Sequence, residues 1–272
     1  MSLQGKTLFI TGASRGIGRE IALKAAADGA NIVIAAKSAE SHAKLPGTIH
    51  SVAAEVEAAG GRALALQLDV RDEEAVKAAM ARAAEHFGSI DALINNAGAI
   101  KLVGVEHLPA KRYDLMFQIN TRAVMVCSQA ALPYLKQSKG HILSLSPPIN
   151  LDPKWFANYG PYTTTKYGMS MLTLGMHEEF KKYGISVNSL WPKTVIATAA
   201  IEFEAGGPAV MKAARLPAIM ADAACAILSS SERTISGRLL IDEEILREQG
   251  QEDFEQYRYD PAGKLMTDLF VD

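Results

Sequence analysis

At 272 residues, 49% of them apolar and 21% charged, the chain can bury a sizeable core and has the length of one α/β domain. A formal net charge of −2, with no block of like charge, points away from nucleic acid and from anionic membranes. Residues 1–5 lead straight into a strand-like run, leaving no room for a signal peptide, and no apolar stretch approaches the roughly 18 residues of a membrane span; the expectation is a cytoplasmic protein. Cys127 and Cys225 stand far apart and read as reduced thiols, and the six histidines show no metal-ligand spacing, so no metal site is expected.

In chain order, strands are predicted over 6–11, 31–35, 62–68, 91–95, 141–145, 185–190 and 238–241, alternating with helices over 17–28, 49–59, 73–87, 110–136, 161–182 and 221–228. Several strands, such as Leu8-Phe9-Ile10, are apolar throughout, as strands buried on both faces are. The βαβα order then implies a doubly wound parallel sheet of Rossmann type, with helices on both faces, in a single domain. Two segments break the pattern. Residues 193–220 form an overlong loop, read as a substrate lid whose Ala199, Ala200, Ile201, Phe203, Val210 and Met211 suit an apolar substrate. Residues 243–272 are either a solvated tail or a segment that docks on the body or on a second subunit.

The first strand ends in Thr11-Gly12-Ala13-Ser14-Arg15-Gly16-Ile17-Gly18, directly before a helix. Glycine there permits a tight turn and close approach of backbone to a pyrophosphate, which the free N–H groups and dipole of the helix start would bind. The spacing is G-x-x-x-G-x-G. A dinucleotide site is expected. At the end of the second strand, where NAD enzymes usually hold the ribose with a carboxylate, this chain has Ala35-Ala36-Lys37-Ser38. With no acid present, Lys37 and Arg15 are read as partners of a 2′-phosphate, and the cofactor as NADP.

Among eight tyrosines only Tyr162 has a lysine four residues later, Lys166, which a helix places on the same face. A neighbouring ammonium stabilises phenolate and draws the phenol down from its ordinary pKa of about 10, suiting Tyr162 to general acid/base work on a carbonyl or alcohol oxygen.

Together these residues resemble the short-chain dehydrogenase/reductase family over essentially the whole chain. The resemblance implies adenine contacts at Asp69 and Val70, cofactor contacts at Asn96, Ala97 and Gly98, and a water-relay role for Asn120. It also implies that Tyr162 and Lys166 are the catalytic pair, with Pro192 and backbone near Val195 meeting the carboxamide. Homodimers or homotetramers are implied as well, consistent with helices 110–136 and 161–182 carrying more apolar residues (Met116, Val124, Met125, Met169, Met171, Leu172, Leu174 and Met176) than one sheet-facing side requires. A narrower resemblance rests on Ser146-Pro147-Pro148, Trp155-Phe156 and Leu190-Trp191-Pro192-Lys193-Thr194.

Three departures stand out. Pro147 occupies the place of the family's serine, leaving Ser146 as the expected oxygen-positioning hydroxyl and Ser144 as its competitor. Lys193 replaces a glycine, and Thr198 falls one residue late. Two other functions compete with hydride transfer to a carbonyl. An enoyl-thioester reductase would use Tyr159 with Lys166, against which Pro161 places Tyr159 before the helix. A non-catalytic NADP-binding redox sensor would have no need of Asn120, Tyr162 and Lys166.

Overall fold

Along β1 (Thr7–Thr11) the side chains alternate between two apolar layers: Leu8 and Ile10 enter one core and Phe9 the other. Both faces being sealed, the strand reads as an unbroken apolar run. The computed structural model describes residues 2–40, 45, 47–230 and 235–272. β1 pairs in parallel with β2 (Asn31–Ala36) on one side and β4 (Ala92–Asn95) on the other, with β3 (Arg62–Gln67) outside β2. β5 (His141–Ser144), β6 (Ser186–Trp191) and β7 (Leu239–Ile241) extend the far side, also in parallel. The seven-stranded order is β3-β2-β1-β4-β5-β6-β7. It reverses direction between β1 and β4, and the crevice beyond the strand ends at such a reversal is where α/β sheets bind ligands.

One face is covered by α1 (Gly16–Ala27), α2 (Ile49–Ala58), α9 (Ala218–Leu228) and α10 (Asp242–Glu248), the other by α3 (Glu73–Phe87), α5 (Ala123–Ser138) and α7 (Gly160–Phe180). Ile21, Val52 and Ile227 on the first side and Met80, Leu135 and Met169 on the second are at most 1% exposed. Burying each such side chain contributes about 1.5–3 kcal/mol. The helix expected over 110–136 is in fact two, α4 (Ala110–Phe117) and α5, joined by a π turn over Gln118–Arg122. One extra residue in that turn re-aims Asn120, a use to which π turns are often put.

The overlong loop has structure of its own: a π turn at Ile201–Ala205 and α8 (Gly207–Lys212). α9 begins three residues before its predicted start because Pro217 precedes it as the cap. The C-terminal segment docks on its own body. Leu216 N donates to Tyr257 O at 2.6 Å, the Tyr257 hydroxyl donates to Asp222 at 2.6 Å, and buried Arg215 pairs with Glu243 at 2.6 Å. Both cysteines are free, and burial pushes each thiol up to about 12. Among the described residues no helix is long and apolar enough to cross a membrane, and no cluster could hold a metal ion.

Candidate active site

The glycine turn and the exit of β4 are one packing unit. Gly12 has φ of +68°, and a Cβ there would lie 2.9 Å from Ala97 Cα. Asn96 Nδ2 donates to Thr11 O at 2.8 Å and to Gly12 O at 3.1 Å, and a Cβ on Gly18 would come within 2.4 Å of that same amide. Gly18 therefore does not line the cavity; it makes room for Asn96. Thr11 Oγ1 accepts from both Asn96 N and Ala97 N at 3.0 Å, closing the link. Arg15, extended at φ −168°, precedes α1 without a side-chain cap, which leaves the first-turn N–H groups to a ligand.

A cavity of about 960 Å³ runs along the sheet's crevice past this turn. Of the expected cofactor residues it is lined by Gly12, Ser14, Arg15, Gly16, Ile17, Lys37, Asp69, Val70, Asn96, Ala97, Gly98, Tyr162, Lys166, Pro192 and Val195. At the β2 end stand Arg15, Lys37 and Ser38. An Arg15 terminal nitrogen donates to Ser38 Oγ at 3.2 Å and to Gly47 O at 3.0 Å. Lys37 leans 3.3 Å from Asp69, but with 63% of its side chain exposed this pair is weak and easily exchanged for another anion. Asp69 is chiefly occupied by Arg71, at 2.6 Å, which with Lys37 holds its carboxyl well below the usual range.

At the other end, Pro161 opens α7, and its first turns deliver Tyr162 and Lys166 to the cavity. Lys166 Nζ donates to Leu145 O at 2.8 Å and lies 5.0 Å from the centre of the Trp191 ring; burial draws its pKa down to about 8. The Tyr162 phenol is pushed up, first by burial and then by the charge of Asp268. This reverses the expected lowering: among the described residues nothing hydrogen-bonds the Tyr162 hydroxyl, and burial sets the direction of its shift. Asn120 is buried and does not line the cavity. Its amide donates to Ala99 O at 2.9 Å and to Thr165 Oγ1 at 3.0 Å, while Thr165 Oγ1 donates to Tyr162 O at 2.8 Å. It ties the β4 exit to the turn carrying Tyr162.

The structure does not bring Ser146 to the cavity. Both Ser146 and Ser144 are 0% exposed, their hydroxyls have no hydrogen-bond partner among the described residues, and Leu145 takes the lining position between them. Ser146 N donates to Ser144 O at 3.0 Å, so the chain turns inward just ahead of Pro147. Tyr159 precedes α7 at φ −148° and does not line the cavity, which removes support from the enoyl-reductase pairing. Lys193, the departure from glycine, is explained by α10: its backbone N donates to Asp242 at 2.8 Å and its ammonium to Glu243 at 3.0 Å. Thr198, though one residue late, does line the cavity, as do Ile201, Phe203 and Val210 of the long loop; Met211 does not.

What the sequence missed is the cap. Residues 266–269 line the cavity, bound by Val195 N to Met266 O at 3.0 Å and Trp191 Nε1 to Leu269 O at 2.8 Å. Phe270 packs its ring 6.3 Å from Tyr162, with Trp155, Tyr167 and Trp191 around it. The tail's mixture of charges and aromatics carries no periodicity, so only its aromatic content could have hinted at docking.

The arrangement has counterparts. The family model for short chain dehydrogenase matches residues 6–205. The narrower resemblance is to hydroxysteroid dehydrogenase-like protein 2: the protein of that name from Xenopus tropicalis is 56% identical over 271 residues, covering 99% of this chain and 64% of its own length. The chain thus spans less than two thirds of that relative. A crystal structure of a putative dehydrogenase from Xanthomonas campestris superposes with a TM-score of 0.96 at 52% identity, covering 100% of both chains. A 7α-hydroxysteroid dehydrogenase complexed with NADH and 7-oxo glycochenodeoxycholic acid is 26% identical with a TM-score of 0.77, over 88% of this chain and 94% of that one.

Proposed function

The chain belongs to the short-chain dehydrogenase family, a family of oxidoreductases that bind nicotinamide dinucleotides, and on that premise we propose that it is an NADP-dependent enzyme acting on the carbonyl or alcohol carbon of a hydrophobic small molecule, with Tyr162 as general acid/base. The observation that carries this reading is that one cavity joins the glycine turn, the Arg15–Lys37 end and the Tyr162–Lys166 pair. The residues fit the cofactor. First-turn N–H groups and two cations meet where phosphates would lie, the one carboxylate nearby is already neutralised by Arg71, and no acid follows Ala36 to repel a 2′-phosphate.

When bound, the nicotinamide supplies or accepts the hydride. The remaining work falls to the chain. Tyr162, held protonated by its buried setting, donates its phenolic proton to the carbonyl oxygen on reduction and takes it back on oxidation. Lys166, fixed by Leu145 O, keeps donors free for the cofactor's ribose and places its charge beside the developing phenolate. Asn120 holds the α7 turn against the β4 exit, so that Tyr162 keeps its position. Ile201, Phe203, Val210, Ile100 and Leu102 surround the substrate end with apolar surface, which favours a hydrophobic ketone or alcohol.

The test is cofactor-coupled turnover against a panel of ketones, aldehydes and acyl-thioesters. Tyr162→Phe should lose at least a hundredfold in kcat, as loss of a general acid does, while binding NADP(H) as before. Lys37→Ala should weaken NADPH and leave NADH unchanged. A Tyr162→Phe enzyme that turns over normally refutes the catalytic assignment, and equal loss for both cofactors refutes the 2′-phosphate one.

A further inference from the structure

The C-terminal segment brings a carboxylate into the active-site cavity. Asp268 lines it together with Tyr162 and Lys166, although more than a hundred positions separate it from either in sequence. Its backbone is fixed from both sides. Asp268 N donates to Lys193 O at 3.0 Å, Thr194 bridges Thr267 antiparallel, and Trp191 Nε1 holds Leu269 O at 2.8 Å. Beyond it, Phe270 locks the segment into the aromatic cluster. The carboxyl makes one local bond, accepting from Leu269 N at 2.6 Å, and among the described residues no salt bridge reaches it. The other carboxylate of the cavity, Asp69, is spent on Arg71 and Lys37 at the far end.

We propose that Asp268 is a positioning residue of the active site, whose carboxylate sets the charge balance around Lys166 and Tyr162 and thereby the pH at which the proton moves at Tyr162. The proposal rests on the reading of Tyr162 as general acid/base. The groups that face Asp268 are few. Lys166 favours its ionised form, and Asp242, from the start of α10, opposes it. Behind Asp242, Glu243 is met by Arg215 at 2.6 Å and by Lys193 and Arg247 at 3.0 Å, three cations around one carboxylate, so that cluster is net positive and does not add to the opposition from Asp242. Burial moves the facing pair toward each other, Asp268 up to about 7 and Lys166 down to about 8. Both can therefore change charge close to neutrality. Ionised Asp268 makes Lys166 and Tyr162 each hold their protons more tightly. Taking the charge away must shift both to lower pH.

The experiment follows ionisation directly in the 272-residue chain without cofactor, by carbon-13 NMR of labelled aspartate carboxyls, lysine ε-carbons and tyrosine ζ-carbons. Asp268→Asn keeps an oxygen to accept from Leu269 N, and Asp268→Glu keeps the charge. With Asp268→Asn the Lys166 midpoint should fall by about one pH unit, the order expected for losing an opposite charge from the same buried site, and the Tyr162 signal should move the same way. Asp268→Glu should leave both near wild type. The acid limb of alcohol oxidation, where Tyr162 must be deprotonated to take the proton, should move to lower pH with Tyr162 by the same amount. Should Asp268→Asn fail to fold, Lys166→Met serves instead and should raise the Asp268 midpoint above about 7. A Lys166 midpoint unmoved in Asp268→Asn, or an Asp268 carboxyl titrating in the ordinary range, overturns the proposal. Those results would leave the Tyr162→Phe test untouched, whereas an active Tyr162→Phe enzyme would remove the catalytic premise without altering the measured coupling.

Discussion

Phe270→Ala should open the C-terminal cap locally while leaving the sheet intact. The ring is 1% exposed and sits between 5.2 and 6.3 Å, centre to centre, from Tyr167, Trp155, Trp191 and Tyr162. Truncating a buried phenylalanine costs about 3–5 kcal/mol when the site cannot collapse. The segment around it is held to the body by a few bonds, among them Val195 N to Met266 O and Trp191 Nε1 to Leu269 O, so the loss should appear as local opening rather than global unfolding. A loss of about 3 kcal/mol corresponds to roughly a hundredfold faster hydrogen exchange, to be read at the Asp268 amide bonded to Lys193 O and the Val195 amide bonded to Met266 O. Phe270 also adopts φ of +72°, a left-handed conformation costing about 1–2 kcal/mol for a residue with a Cβ. Phe270→Gly should accordingly recover about 1 kcal/mol relative to Phe270→Ala. With the cap open the Tyr162 phenol loses its cover and its pKa should come down toward that of an ordinary tyrosine. Unchanged protection of the Asp268 amide in Phe270→Ala would refute the reasoning.

Ser146→Ala should keep kcat within a few-fold of wild type and not lower Tm, because the hydroxyl it deletes is buried, unpartnered and outside the cavity; a hundredfold fall in kcat would restore the serine to the reaction. Glu243→Gln leaves buried Arg215 uncompensated and should cost about 3–5 kcal/mol in urea unfolding at neutral pH. Its carboxyl is held at about 2 against an ordinary 4.5, so the stabilisation is fully present above about 4.5 and is lost as pH falls through about 2; the gap between wild type and variant should narrow across that window. We expect a homo-oligomer through the exposed apolar side chains of α4, α5 and α7 (Phe117, Met125, Met171 and Leu174), so Met171→Asp with Leu174→Glu should yield a monomer by light scattering, and a monomeric wild type at micromolar concentration would contradict this.

Much of the fold was legible because strands buried on both faces leave a compositional mark. The seven predicted strands agree with the observed ones to within a residue at each end, the C-terminal end of β6 reaching Trp191. The helix over 110–136 was misread because a π turn preserves the helical spacing of apolar residues while adding one residue, which periodicity cannot resolve. Half of the apolar excess assigned to a partner was likewise internal: Met116, Val124, Met169 and Met176 are buried within the protomer. Spacing put Gly18 in the glycine turn, and what the structure shows there is that it admits Asn96, a contact made across 78 positions that no local pattern encodes.

The cavity is thus made by two kinds of sequence. The cofactor end is backbone geometry, in which a tight turn, a helix start and a missing acid each leave a local signature. The substrate end is closed by segments that act only through where they land: Leu145 by displacing two serines, Asp268 and Phe270 by crossing back over the strand ends. Alternation and capping rules are blind to such residues, since nothing about Asp268 or Phe270 is unusual until Lys193, Trp191 and Tyr162 are placed beside them. On the proposed function, selection of the substrate falls to this second group together with Ile201, Phe203 and Val210 of the long loop. Substitutions at the glycine turn should therefore change cofactor affinity for every substrate alike, and those in residues 266–270 should change the ranking of substrates.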